Sequence, residues 1–338
     1  MPICHSRTFS LYESLDFVLS YFRMNRLIQK INILDLFSWN GAQSADEQSV
    51  ASYGRSVALT RTVRDALSMS TRAVYGAESK RMSLLFHLLY CKSAGSFLDL
   101  IQARGNGAQA FRIKGGAQQI SIKMAAELDD RLRLSTGVKK IETSEDGPTR
   151  VTLECKRLVL AIPPNQCAKL EFSPPLGYLK RRLFDSMEPG HFIKFVVTFA
   201  TAFWRDDGLS GEIASTGRTT VPGEDLVRFL GEKALREFIA YEEKNWKHEP
   251  YNGGCPVDHV TPGNMDAFVT IRDMHYGVHF AGTETAIAWM GYMSGAVESG
   301  KRAANEVLHA LGVDHNYLKG SQLSADCKRP QAPRDQYE

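Results

Sequence analysis

The sequence predicts an α/β protein, and three observations carry that class. Apolar residues recur at helical spacing over residues 15–33 and 57–90, and β-prone runs cover residues 132–141, 151–162 and 192–199. A short strand at 277–281 then runs directly toward a helix at 291–311.

In the first segment Phe17, Val18, Tyr21, Phe22, Leu27, Ile28 and Ile31 predict one or two amphipathic helices, which need a partner surface. A polar stretch, 40–52, separates them from the helical region 57–90, whose core face includes Leu67, Leu84, Leu85 and Leu88. The Gly-rich segment 105–116 breaks that pattern, and residues 118–128 resume it with Ile120, Ile122, Met124 and Leu128. The runs 132–141 and 151–162 flank Glu145-Asp146-Gly147-Pro148, which reads as the turn of a β-hairpin or meander. The second run ends at Pro163-Pro164, which cannot continue a ladder. The run 192–199 is strongly β-prone and carries one buried-looking cation, Lys194. The last helix presents Ala296, Gly300, Ala303, Val307 and Leu311 along one face.

A length of 338 residues with 43% hydrophobic and 23% charged residues suits two packed domains of a folded soluble protein. A net charge of +3, without an arginine-rich tract or aromatic-basic stripe, argues against nucleic acid. Cysteines at 4, 91, 155, 167, 255 and 327 show no C-x-x-C spacing and no paired histidines, so neither a metal site nor a disulfide framework is expected. A reducing, cytoplasmic location fits that usage. Asp16, Arg23, Arg26, Lys30 and Asp35 interrupt the apolar stretch 15–37 too often for a signal segment or membrane span, and the polar tail 319–338 offers no anchor.

The sharpest segment is His279-Phe280-Ala281-Gly282-Thr283-Glu284, followed by Trp289-Met290-Gly291-Tyr292-Met293 and a small-residue helix. A strand that ends in Gly before a helix lets backbone approach a ligand closely and turns N–H groups toward an anionic group. Extended through Gly295, Ala296, Val297, Glu298, Gly300, Arg302, Ala303 and Ala304, this segment closely resembles the flavin-closing motif of the FAD-dependent monoamine oxidase family. Four more segments resemble that family in the same order: Phe111 to Gln119, Leu158 to Pro164, Ile193-Lys194 before Phe203-Trp204-Arg205, and Glu243 to Trp246 through Gly253-Gly254-Cys255. The resemblance covers roughly residues 74–311.

It implies a partial FAD-linked Rossmann-like domain of the glutathione-reductase type, with a mixed-sheet and helical substrate domain. Cys255 matches the cysteine that forms a thioether to the flavin, although Pro256 stands where the family has an aromatic residue. Tyr292 matches one wall of an aromatic cage for the amine, Lys194 the lysine that holds a water near flavin N5, and Trp246 a tryptophan beside the ring. Lys194, Tyr292 and Trp246 are the implied catalytic set. Val138, Gly254, Cys255, Gly282, Thr283, Glu284, Gly291, Tyr292 and Met293 are the implied cofactor contacts.

Two departures accompany the match. The family's Gly-x-Gly-x-x-Gly opening is missing, since no glycine precedes Gly41, and the segment between Gly211 and Tyr241 is short for the family. The expected organisation is a helical segment 1–54 in place of the dinucleotide-binding unit, a helical substrate-domain part 55–110, and an FAD-domain part 111–165. A shortened substrate domain 166–250, a C-terminal FAD-domain part 251–311 and a polar tail 312–338 complete it. The implied activity is oxidation of a small-molecule amine by O2 to an imine and aldehyde with release of H2O2, and a homodimer is left open. A polyamine or L-amino-acid oxidase of the same class, or a remnant that keeps the fold but cannot hold FAD, stand as alternatives.

Overall fold

The computed structural model describes residues 9–102, 107, 108, 110–143, 149, 150, 153–211, 213 and 222–313. The chain opens as a helical layer built by side-chain caps. Ser10 starts α1 (Leu11–Lys30) with a capping box: its hydroxyl accepts the Glu13 N–H, and the Glu13 carboxylate accepts the Ser10 N–H. One helix fills the expected span, but it turns Asp16, Ser20, Met24 and Ile28 inward, leaving Val18 and Phe22 exposed. After α2 (Ala42–Glu47), Ser49 caps α3 (Val50–Val57), Thr60 caps α4 (Arg61–Tyr75), Ser83 caps α5 (Leu84–Ala94) and Ser96 caps α6 (Phe97–Ile101). The expected helical region 57–90 is therefore two helices, because Gly76 ends α4 in the left-handed conformation. Nearly every residue of α5 is buried, with α1, α2, α3 and α6 packed around it. The partner that the amphipathic opening needs is this helix rather than a sheet.

The helix α7 (Gln118–Leu128) has the expected limits yet no buried residue, and Ile120, Ile122, Met124 and Leu128 are exposed. Periodicity identified the helix but not a neighbour for its apolar side. The run expected to be a strand from 132 becomes one only at β1 (Lys140–Glu142), which pairs antiparallel with β2 (Thr149–Arg150). β3 (Glu154–Cys155) continues this meander, and β4 (Leu158–Leu160) leaves it for another sheet. The turn residues 145–148 lie outside the described residues, as do Gly105, Val151 and the tail from 314. Pro163 and Pro164 stop the chain as expected and open the short α8 (Pro164–Cys167).

β5 (Glu171–Ser173) joins the meander parallel to β1. α9 (Tyr178–Ser186) leads to β6 (Met187–Pro189) and then to β7 (Ile193–Phe199). After α10 (Pro222–Leu230) and α11 (Lys233–Arg236), β8 (Phe238–Asn245) pairs antiparallel with β7 as an isolated two-stranded ribbon. β9 (Asp258–Val260) pairs antiparallel with β6, and α12 (Met265–Phe268) packs on α9. β10 (Val278–Phe280) lies parallel to β4, placing His279 opposite Val159, and α13 (Met293–Ala310) crosses over both strands.

The buried stripe of α13 is Gly295, Ser299 and Ala303; it keeps Ala303 of the expected face, but Ala296 and Gly300 are exposed and Gly295 and Ser299 are buried in their place. Gly295 sets that rotation: a β-carbon there would come within 2.2 Å of the Trp289 carbonyl oxygen, so the helix meets the preceding loop through its backbone. A continuous apolar core joins Met24 and Ile28 of α1, most of α5, Leu183 and Phe184 of α9, and Val278 and Phe280 of β10.

Candidate active site

Three segments distant in sequence meet around one cavity of about 320 Å³. The first is the exit of β4 with Ala161, Ile162 and Pro163, the second runs from Trp246 through Gly254 and Cys255 to Asp258, and the third is Gly282-Thr283-Glu284 with Ala296. The middle segment is stitched to the end of β6: Cys255 N–H donates to the Gly190 carbonyl at 2.8 Å, and Gly190 N–H donates to the Val257 carbonyl at 3.1 Å. A β-carbon at Gly254 would stand 2.3 Å from the Gly190 oxygen, so glycine is the residue that lets these two backbones touch. The Cys255–Pro256 peptide bond is cis.

On the third segment Gly282 has φ of +108° and donates its N–H to the Ser299 hydroxyl at 3.1 Å. The Thr283 hydroxyl donates to the Tyr292 carbonyl at 2.9 Å. Strand end and helix start are thus tied together on both sides of the turn. Tyr292 occupies the N-cap position of α13 without a side-chain cap, so the first N–H groups of that helix lack a side-chain acceptor from that residue. Ala296, in the first turn, lines the cavity.

Two buried acids line the cavity. Asp258 is 3% exposed and Glu284 is 6% exposed. The Asn165 N–H donates to Asp258 Oδ2 at 2.7 Å, and the Asp258 N–H donates to Glu284 Oε1 at 3.5 Å. Burial, reinforced by the neighbouring Glu284, pushes the Asp258 carboxyl up to about 8 against the pull of the Asn165 N–H. Burial likewise raises Glu284 and the Cys255 thiol.

Of the residues expected from sequence, Trp246, Gly254, Cys255, Gly282, Thr283 and Glu284 share this cavity. Tyr292, Gly291 and Met293 do not line it. The Tyr292 ring is half-buried, 5.5 Å from Trp289 and 6.3 Å from Tyr90, and burial pushes its hydroxyl up to about 12. Lys194 departs from expectation: it is exposed, directly opposite Lys244 across the ribbon. Among the described residues no layer covers this two-stranded ribbon, so it cannot bury a cation, whatever the apolar content of its sequence. Val138 is also exposed, ahead of β1, and is not part of the cavity wall. The Lys244 ammonium lies 5.6 Å from the Trp246 ring centroid and pairs with Glu249.

Sequence reasoning missed Asp258. Its signal was an acid between Val257 and His259-Val260, in a run otherwise suited to a buried strand. Among the described residues there is no group of three or more His, Cys, Asp or Glu placed to hold a metal, and no helix is long and apolar enough to cross a membrane.

The family model described as flavin containing amine oxidoreductase matches residues 40–225 and 223–308. This chain belongs to the flavin-containing amine oxidoreductase family. The junction between the two matched stretches falls inside the segment expected to be short for the family. Over 320 residues the chain is 32% identical to the flavin-containing amine oxidase of Danio rerio, covering 81% of this chain and 61% of that protein. It is also 32% identical over 302 residues to flavin-containing amine oxidase B of Mus musculus, covering 76% and 58%. The chain therefore spans about three-fifths of the length of the curated relatives it matches. The solved structure of cyclohexylamine oxidase from Brevibacterium oxydans IH-35A shares the fold, with a TM-score of 0.81 at 24% identity over 90% of this chain and 77% of that one.

Proposed function

We propose that this chain forms the cofactor-closing and substrate-facing part of an FAD-dependent amine oxidase, which converts an amine and O2 to an imine and H2O2. The imine then takes up water to give aldehyde and ammonia. The observation that carries the reading is the convergence of Trp246, Gly254, Cys255 and Gly282-Thr283-Glu284 on one cavity.

The cavity fits the ring end of a flavin. Its size lies at the lower end of ligand pockets, roughly 300–1,000 Å³, enough for a fused ring but not for a whole dinucleotide. An indole and a thiol lie on one side, and the start of an 18-residue helix lies on the other. The N–H groups there favour the electron-rich edge of a ligand. Bound flavin supplies the redox chemistry, accepting hydride equivalents from the amine and passing them to oxygen.

The chain's residues would orient and enclose. Trp246 would flank the ring, Cys255 would meet its edge, and Gly254 would let the loop lie close beneath it. Tyr292, which does not line the cavity, keeps only from the family resemblance the part of an aromatic wall for the amine. Lys194, solvated on the open ribbon, is given no part. Two structural neighbours oxidise cyclohexylamine and putrescine, which favours small aliphatic or cyclic amines here. Flavin absorbance in the purified chain, with benzylamine-, cyclohexylamine- or putrescine-dependent peroxide release, tests the reading. A chain that acquires no flavin spectrum in the presence of excess cofactor overturns it.

A further inference from the structure

We propose that Asp258 and Glu284 form a proton-sharing pair whose O–H donates into the cavity, to an acceptor group of the bound flavin ring. This deepens the flavin-site reading and rests on it for the identity of the ligand.

The geometry makes the case. Both carboxyls are more than nine-tenths buried, both line the same cavity, and the backbone N–H of one donates to the side chain of the other. Among the described residues neither makes an ion pair with a lysine, arginine or histidine, and no cation bears on either carboxyl. Two adjacent carboxylates without a counter-cation cannot both stay ionised in a buried site, so one proton belongs to the pair.

The fixed donors leave specific oxygens for that proton. Asp258 Oδ2 is taken by the Asn165 N–H, and Glu284 Oε1 faces the Asp258 N–H. Asp258 Oδ1 has no hydrogen-bond partner among the described residues, whereas the Glu284 carboxyl also takes its own backbone N–H. Glu284 Oε2 lies 3.6 Å from the β-carbon position of Gly282, which is itself a cavity wall. A carboxylic O–H on Asp258 would be a donor available to whatever fills the cavity that both acids line.

A buried ammonium, Lys180 on α9, bears on Cys167 but on neither acid, and the other titratable neighbours supply no charge. Cys167, on α8, is a buried thiol pushed up to about 12 by burial, and Tyr90, on α5, is a buried phenol raised well above its ordinary value by burial. Both are neutral near pH 8. The Cys255 thiol is raised by burial as well. Neutral neighbours leave the pair to hold its own proton, the arrangement by which an apolar site keeps a carboxylic acid as a hydrogen-bond donor.

The test has two arms. In carboxyl-labelled chain without ligand, the ¹³C resonances of Asp258 and Glu284, assigned with D258N and E284Q, are followed from pH 4 to 10. One of the two acids is expected to stay protonated to about pH 8; complete ionisation of both below pH 6 overturns the pair. In the second arm riboflavin is titrated by fluorescence quenching at pH 6.5 and 9.5. Wild type is expected to bind about tenfold more weakly at the higher pH, the worth of one good hydrogen bond, and D258N to bind equally at both. Equal riboflavin affinity in wild type at both pH values overturns the donor role while leaving the flavin site standing. Riboflavin bound at neither pH overturns the flavin reading and the ligand half of this proposal together, and the carbon resonances then decide the pair alone.

Discussion

The hydroxyl oxygen of Tyr90 stands 1.9 Å from the position a β-carbon would take on Gly291, whose φ is +82°. The first residue of the Gly291-Tyr292-Met293 run is therefore a glycine for two independent reasons, backbone conformation and close approach by a buried ring. Gly291→Ala is expected to cost roughly 2–4 kcal/mol, combining left-handed strain with overpacking. Urea denaturation checks this, and adding Tyr90→Phe to the variant recovers part of the loss by removing the clashing oxygen. Full wild-type stability of Gly291→Ala would mean that the loop and Tyr90 are not in register as described.

Ser93 holds the same loop from α5. Its carbonyl accepts the Trp289 N–H at 3.0 Å and its hydroxyl accepts the buried Met290 N–H at 3.3 Å, while Trp289 sits at φ of +54°. Ser93→Ala leaves the Met290 donor without its side-chain acceptor, at an expected cost of about 1–2 kcal/mol. Near-UV circular dichroism of the Trp289–Tyr292 ring pair should change in parallel. An unchanged aromatic spectrum together with an unchanged Tm would show that Ser93 does not position the loop.

Asp16 and Asp258 contribute to stability with opposite pH dependence. Burial opposes ionisation of Asp16, but the N–H groups of Leu59 and Thr60 and the Thr60 hydroxyl outweigh it and hold the carboxyl below its ordinary value. Its contribution is present above pH about 4 and fades as pH falls through the lowered folded value. Asp16→Ala is thus expected to cost about 1–2 kcal/mol at pH 7, as for a lost helix cap, and little near pH 2. Asp258 runs the other way. Its folded pKa of about 8 lies above the unfolded value of 3.8, so the folded state binds more protons and stability declines as pH rises between them. Asp258→Asn should flatten that decline, leaving the part due to the raised Glu284, and should be more stable than wild type at pH 8. Urea midpoints across pH measure both, and a wild-type profile parallel to that of Asp258→Asn would rule out a raised Asp258.

The contiguous parts of this site were legible in the sequence. Gly282-Thr283-Glu284 and Trp246 through Cys255 are runs whose order survives folding, and β10 and α13 lie where hydropathy placed them. What stayed hidden depends on neighbours. Lys194 lies in an apolar run, but the run forms an unlayered ribbon; Ile120 and Met124 repeat as helices do, but nothing described covers them. Asp258 meets Glu284 only because β9 and the turn after β10 end at one cavity. Such a pairing lies in tertiary structure, and no local pattern encodes it.

Cys255 should carry a bound flavin covalently if its thiol reaches the ring edge. Attachment would join the thiolate sulfur to a ring-edge carbon as that carbon loses a proton, with the flavin itself taking the two electrons and O2 then removing them. Burial raises the thiol, so the thiolate is scarce at neutral pH and attachment should accelerate as pH rises. Acid-precipitated protein that retains colour after incubation with flavin, and loses it in Cys255→Ser, is the expected outcome. Colour equally retained in Cys255→Ser would assign the bond to another side chain.

The affinity of this 338-residue chain for FAD should resemble its affinity for riboflavin. The cavity offers ring contacts: an indole, a thiol, two carboxyls and the start of α13. A dinucleotide adds a pyrophosphate, whose charges normally rest on N–H groups of a glycine-rich turn at a helix N-terminus, and no glycine precedes Gly41 here. Each charge-assisted hydrogen bond to phosphate is worth about 1.5–3 kcal/mol, so two such bonds alone would tighten FAD over riboflavin by more than a hundredfold. The acidic pair, Asp258 and Glu284, adds nothing favourable for a phosphate, since any ionised fraction repels it. Parallel titrations with riboflavin and FAD at pH 7 are therefore expected to give dissociation constants within about tenfold of each other. FAD binding more than about a hundredfold tighter would mean that residues outside the described cavity cradle the pyrophosphate, and phosphate-dependent protection from hydrogen exchange would then locate them.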